Sequence, residues 1–287
     1  MRKFVQIAAS ILFIVVNFCC GYSGAVEDRK ISNSPDVSEQ FANYWYNDKT
    51  EINEYSVHQV INGIEKKAGL SMTFATETFS KSRHVITKDP NAKVSDQIIV
   101  LHNNNLLESG TGSTMSSIFT PINLEETPYS ISAFSSTQNI KYQHTTKIDK
   151  IKNSYEISFS SFADYEGKDN YQIQETILED ALFNRIRIAP KSIPVGTVNL
   201  LKSLNIQPAN QAELKPAAAR IQFLKSESTS TCKVEYMHSD RTVIINFDED
   251  FPHKITSWSV HDTNNYSFEA TLKKTNKVVI VDDEIKS

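Results

Sequence analysis

Four charged residues lying close together, Glu179, Asp180, Arg185 and Arg187, are the best candidates in this sequence for a charged site at a helix end. A plainer reading is available, because acids placed late in a helix oppose its dipole and the arginines would compensate. The histidines offer no metal set. His253 and His261 stand eight apart with no cysteine or carboxylate at a zinc-like interval, and His58, His84, His102, His144 and His238 are scattered singly. Ser109-Gly110-Thr111-Gly112-Ser113-Thr114 has the glycines of a phosphate cradle but not the lysine of a P-loop, so it reads as a turn between strands. No glycine-flanked serine of the hydrolase-elbow type occurs. Cys232 shares an inferred strand face with Val234 and Tyr236, where a thiol packs as a small apolar group. Tyr44-Trp45-Tyr46 could stack on a sugar or touch lipid headgroups; as the start of a strand or helix it would instead anchor the chain to its core. These readings predict no catalytic residue, no metal and no cofactor.

The elements that would position such residues are mostly strands. From Phe41 onward apolar and polar residues alternate: Leu70, Met72 and Phe74 share a face, as do Tyr155, Ile157 and Phe159. Toward the C-terminus Ile221 and Phe223, then Val234 and Tyr236, then Val243, Ile245 and Phe247, then Phe268, Ala270 and Leu272 repeat the pattern. His238-Ser239-Asp240, Asp248 to Pro252 and Asp262 to Asn265 form polar breaks between them. Short breaks between alternating runs predict an antiparallel meander with one buried face, since parallel pairing would need long crossovers. Ile173, Ile177 and Ala181, with Leu178 and Leu182 beside them, predict one packed helix over about 170–184, closed off by Pro190 and Pro194. Residues 208–219 read as a weaker helical or coil connection. The expected fold is thus mainly β, a single antiparallel meander curved into a barrel or half-barrel with that helix on its concave or open side.

Composition bounds location and partners. A net charge of −4 gives no electrostatic reason to expect nucleic acid. Arg2 and Lys3 precede an apolar stretch from Phe4 to Phe18, the pattern of a signal peptide and short for a membrane span, which takes about 20 apolar residues. Two fates compete at its end: cleavage after Ser23 or Ala25, or acylation of Cys20, whose upstream Asn17 and Phe18 depart from a good lipobox. The polar stretch that follows suits a tether, and acylation of Cys20 is the reading preferred. The expected organisation is a signal peptide over 1–20, a flexible spacer over 21–40 and one β domain over 41–287.

Several segments taken together carry a resemblance. They are Tyr44-Trp45-Tyr46-Asn47 with Lys49 and Glu51-Ile52, then Phe74-Ala75-Thr76-Glu77, then the run from Arg185 to Gly196. Asp240-Arg241-Thr242, Phe251-Pro252-His253-Lys254-Ile255 and Trp258 follow in that order. The chain so read resembles an uncharacterised family of exported Bacteroidota proteins, often lipoproteins, that commonly carries the mistaken label "septum formation inhibitor Maf". The run from Arg185 to Gly196 is its most specific part. True Maf proteins are cytoplasmic α/β nucleotide pyrophosphatases, and their motif of paired arginines has no counterpart here, so no catalytic residue is carried over. The chain departs from the family between Ile131 and Tyr155, which hold no cysteine or tryptophan. The resemblance implies an exported protein, often a lipoprotein; with the N-terminal pattern and Cys20, the expected location is the periplasm or outer membrane with a lipid anchor on Cys20. Within that frame three functions are expected in order: a non-catalytic binding module for a lipid or hydrophobic ligand, a structural or protein-interaction component of the envelope, and an enzyme such as a hydrolase.

Overall fold

A computed structural model describes residues 39–89, 91–139, 143–162, 168–204, 214–226, 228–262 and 266–279. The expected signal peptide over 1–20, with Cys20, and most of the expected spacer over 21–40 lie outside the described residues. Glu39 and Gln40, the last two positions of the expected spacer, open helix α1 (Glu39–Trp45). Phe41 and Trp45 are its buried residues, one helical turn apart, which makes the aromatic run an anchor to the core.

Next come β1 (Lys49–Ile61), β2 (Ile64–Ser80), the two-residue β3 (Val85–Ile86), β4 (Gln97–Ser109), β5 (Gly112–Pro121), β6 (Ser132–Asn139), β7 (Gln143–Ile151), β8 (Ser154–Ser161) and β9 (Lys168–Gln174). After these the chain forms β10 (Ile177–Leu178), helix α2 (Ala181–Ile188), β11 (Gly196–Leu201), β12 (Ala217–Ser226), β13 (Thr229–Tyr236), β14 (Thr242–Asp248), β15 (Ile255–Asp262) and β16 (Tyr266–Val279). All sixteen strands of the described residues belong to one sheet. Its path runs from β10 through β16, crosses to β1, and continues to β9, with β3 paired to β2 alone. Two meanders are therefore sewn together by the first and last strands, which pair from Lys49↔Val279 to Ile61↔Tyr266.

The turns follow local chemistry. Asn62 and Gly63, both at positive φ (52° and 77°), close the β1–β2 hairpin as a two-residue turn whose twist matches its strands. The glycine-rich stretch at 109–114 is the β4–β5 hairpin, with Ser109 facing Gly112. Gly112 has no room for a side chain, since a Cβ there would lie 2.3 Å from the Gln138 carbonyl.

The sheet is strongly curved but not closed. Its edges β9 and β10 are not paired, yet only residues 175 and 176 separate them, a reach of roughly 10 Å. Within that link the Thr176 hydroxyl donates to the Asn199 carbonyl of β11 at 2.6 Å, holding the start of β10 against its neighbour. The alternating residues face inward as their spacing requires: Leu70, Met72, Phe74, Val234, Tyr236, Val243, Ile245 and Phe247 are all buried.

Three expectations change. The helix spans Ala181–Ile188 rather than 170–184, and Lys168–Gln174 is strand β9. Tyr171 and Ile173 alternate with Asn170, Gln172 and Gln174, a period-two pattern that shares Ile173 with the four-residue repeat, and sheet pairing to β8 decided between them. Ala217–Ala219 belong to β12 rather than to a connection. Finally, β10 and β11 pair in parallel over Ile177↔Leu200 and Leu178↔Leu201, because α2 carries the chain between them as a crossover.

Candidate functional site

Seven of the eight residues of α2 are buried, from Ala181 to Arg187. A helix hydrophobic all round is expected inside a core, but this one buries Asn184, Arg185 and Arg187 as well, and each must find partners. Asn184 donates through Nδ2 to the Leu101 carbonyl (2.9 Å), the Thr120 hydroxyl (3.0 Å) and the Ile118 carbonyl (3.3 Å), fastening the helix to β4 and β5. Arg187 donates to Glu51 Oε2 at 2.6 Å, with both side chains fully enclosed. Its guanidinium carbon lies 5.2 Å from the Trp45 ring and 5.0 Å from that of Phe74, so aromatic faces cover what the carboxylate does not. Burial alone would raise the Glu51 carboxyl, but the Arg187 charge and hydrogen bonds from Tyr44, Asn53 and Arg187 hold it below the ordinary range.

The other end of α2 is held in the same way. Arg241 grips Glu179 through Nη2 (2.6 Å) and Nε (3.1 Å), and the Tyr236 hydroxyl donates to the same carboxylate at 2.6 Å. Asp180 accepts from the Leu204 amide at 2.7 Å. Burial pushes its carboxyl up to about 6, with the Glu179 charge adding to the rise and the Ser203 and Leu204 hydrogen bonds opposing it. Glu179 and Asp180 precede the helix instead of ending it. Its dipole therefore favours them, and they have no need of Arg185 and Arg187 as compensation. The four residues do not converge on one site: each is a separate pin between α2 and its surroundings. Arg185 ties the chain beyond the helix, donating to the Ser192 carbonyl at 2.8 Å and to the Pro128 carbonyl.

With α2 seated this firmly, the trough around it is filled. The void beside Asp180, Asn105 and Phe183 measures about 30 Å³, space for little more than one water. The concave face is open beyond the C-terminal end of α2, where a cleft of about 680 Å³ is found. One wall is the exit from the helix: Ile188, Ala189, Pro190, Ile193 and Val195. Ala189 is extended (φ −162°, ψ 95°), as a residue before proline must be to leave a helix. Phe223 and Phe247 floor the cleft with rings 6.3 Å apart, and Ser230 lies opposite Phe247 in the β13–β14 register. The far wall joins Phe41 to Phe251, 6.1 Å between rings, with Tyr44 edge-on to Phe251 at 5.4 Å. A bulge between Asn246 and Phe247 breaks the β14–β15 register where this wall begins. Lys191, Lys225, Glu249, Gln40 and His253 complete the lining.

Among the predicted residues, His253 and the run from Arg185 to Gly196 meet at this cleft, whereas Cys232 lies buried in the core with burial pushing its thiol up to about 12. His102 stacks on Phe119 at 4.4 Å, and burial pushes it down to about 4. His84 faces Asp149 at 3.4 Å. No group of three or more metal-ligating side chains occurs among the described residues. Sequence reasoning placed Phe223 and Phe247 on strand faces but did not connect them with Phe41, Ile188 and Phe251. Only the sheet's curvature brings those four distant segments together.

No protein-family model matches the chain, and no curated protein matches it. Among solved structures it is similar to one assigned as an outer membrane lipoprotein-sorting protein domain from Vibrio parahaemolyticus. Identity is 9%, coverage is 85% of this chain and 92% of that one, and the TM-score is 0.19. Among the described residues no helix is long and apolar enough to cross a membrane.

Proposed function

We propose that this protein is a non-catalytic module of the bacterial envelope that holds the alkyl chain of a lipid or other hydrophobic molecule in the cleft beyond α2. The cleft itself carries the reading. Its volume lies within the roughly 300–1,000 Å³ of small-molecule sites, and nine of its fifteen lining residues are aromatic or aliphatic. Its wall is also preformed, because α2 is pinned along its length and Arg185 fixes the turn that follows. Export and attachment through Cys20 are part of the proposal, supported by the basic and apolar N-terminal pattern. Membership of the Bacteroidota family is supported by the matching residue runs.

The two competing readings have less behind them. An interaction component would need an extended apolar patch on the convex face. Leu106 and Met115 lie opposite each other there, but Ser71 and Ser136 flank them in register. A hydrolase would draw on Glu179, Arg187 and Arg241, which are enclosed by protein.

The test is a titration of the purified protein with alcohols of increasing chain length. Each added methylene that enters the cleft contributes about 0.8 kcal/mol, so two should tighten binding by roughly tenfold until the space is full. Val195, 67% exposed on the cleft wall, can be changed without touching the core. Val195→Trp should intrude on the cleft and weaken binding of the longer chains. Affinity that ignores both chain length and this substitution would place the ligand elsewhere, and no binding at all would end the proposal.

A further inference from the structure

The mouth of the cleft has a chemistry of its own, and reading it depends on the ligand site proposed above. Lys191 sits on the 3-10 turn Pro190–Ser192 in the cleft's lining, exposed and without an ion pair among the described residues. Lys225, also lining the cleft, lies near the end of β12 and pairs with Glu249. That pair is 71% and 41% exposed, so water screens it and Lys225 can be drawn to a better partner. His253, half-buried against Phe247 and Phe251, adds no charge at neutral pH because burial disfavours its protonated form. Two lysines against one glutamate leave a single net positive charge above an apolar floor.

We infer that the cleft takes a long-chain carboxylic acid, with its alkyl chain against Phe223, Phe247, Phe251 and Ile193 and its carboxylate at the mouth beside Lys191 and Lys225. The orientation follows from solvation. A carboxylate pushed inward would lose water with only Ser230 on the floor to replace it, whereas at the lip it stays wet and gains two cations. The charge follows from complementarity: a monoanion cancels the net charge of the mouth, an alcohol leaves it unanswered and an amine adds to it.

Calorimetric titration of the purified full chain with laurate, dodecanol, dodecylamine and dodecyl phosphate tests this. Laurate should bind roughly three- to tenfold more tightly than dodecanol at low ionic strength, and the margin should shrink in high salt. Dodecylamine should bind more weakly than dodecanol. Lys191→Glu and Lys225→Glu, both at exposed positions, turn the net charge of the mouth to minus one and should each abolish or reverse the margin, and Glu249→Gln should widen it. Equal binding of all four chains would overturn the carboxylate assignment while leaving the cleft a lipid site. Preference for the amine would assign the mouth to Glu249 instead, and a phosphate bound more than tenfold better than laurate would replace the carboxylate as head group. If none of the four binds, the ligand site itself falls with this inference.

Discussion

Glu51 and Arg187 show what a single buried charge demands of its neighbours. Neither side chain has measurable exposure, and their contact is one 2.6 Å hydrogen bond assisted by Tyr44, Asn53 and two aromatic faces. Removing one partner of such a pair costs about 3–5 kcal/mol, because the other charge is left enclosed without an answer. Glu51→Gln should therefore destabilise the protein by that much in urea unfolding. Combining it with Arg187→Met should recover most of the loss, since two neutral side chains pack where two ions had to be desolvated. A single-substitution cost under about 1 kcal/mol would show that the pair is not dry. Asp180 makes a prediction of the opposite kind. Its folded value, about 6, stands above the ordinary 3.8, so the native state keeps a proton that the unfolded chain has already released. Stability from this residue is present below about pH 4 and declines as pH rises to about 6, by on the order of 3 kcal/mol. Asp180→Asn can still accept from the Leu204 amide and cannot ionise. Relative to the parent it should gain stability as pH rises from 4 to 7, whereas parallel pH curves for the two proteins would mean that Asp180 is already charged in the fold.

Among the elements, the strands were legible in the sequence and the helix only in part. Where one face meets the core and the other meets water, alternation has a single interpretation, and β13 and β14 follow it residue by residue. The stretch 168–188 lacked that clarity. Ile173, Ile177 and Ala181 fit a helical stripe, but the first lies on β9 and the second on β10, and the true helix continues to Ile188. Its polar residues concealed its burial. Asn184, Arg185 and Arg187 look like a solvated face until Leu101, Ser192 and Glu51 are known to lie opposite them. Those partners are 83, 7 and 136 positions away, and two of the three are out of reach of any local pattern. The cleft was hidden for the same reason, being assembled from the start of α1 and the exits of α2, β12 and β14. Its wall depends on α2 staying seated, which gives a test at this scale. Arg241→Met leaves Glu179 buried and unpaired, and should lower stability by about 3 kcal/mol or more while speeding amide exchange across Ala181–Ile188. Loss of stability with unchanged exchange in α2 would mean that Arg241 supports the β13–β14 hairpin instead of the helix.

At the scale of the whole molecule, two meanders in sequence become one sheet because strands at opposite ends of the chain pair with each other. Lys49 meets Val279 and Ile61 meets Tyr266, contacts that close loops of more than two hundred residues. Such pairing is slow to find and leaves both meanders incomplete until it is made. Helix α2 reinforces the union. Arg187 holds Glu51 on β1, Asn184 holds β4 and β5 in the first meander, and Glu179 holds Arg241 beside β14 in the second. Neither meander can shed its core without stripping partners from buried charges that serve the other, so the two should unfold as one unit. The chain has two tryptophans in different settings: Trp45 packs on Phe74 of the first meander, and Trp258, on β15 in the second, packs across the seam on Tyr55 of β1. Variants Trp45→Phe and Trp258→Phe each leave one reporter. In each variant, fluorescence and far-ultraviolet circular dichroism should give the same urea midpoint, even though the two variants differ in stability. If Trp45 fluorescence changed well before the circular dichroism did, the first meander would be opening alone. Arg187, Asn184 and Glu179 would then fasten a helix to two separate halves without making them one.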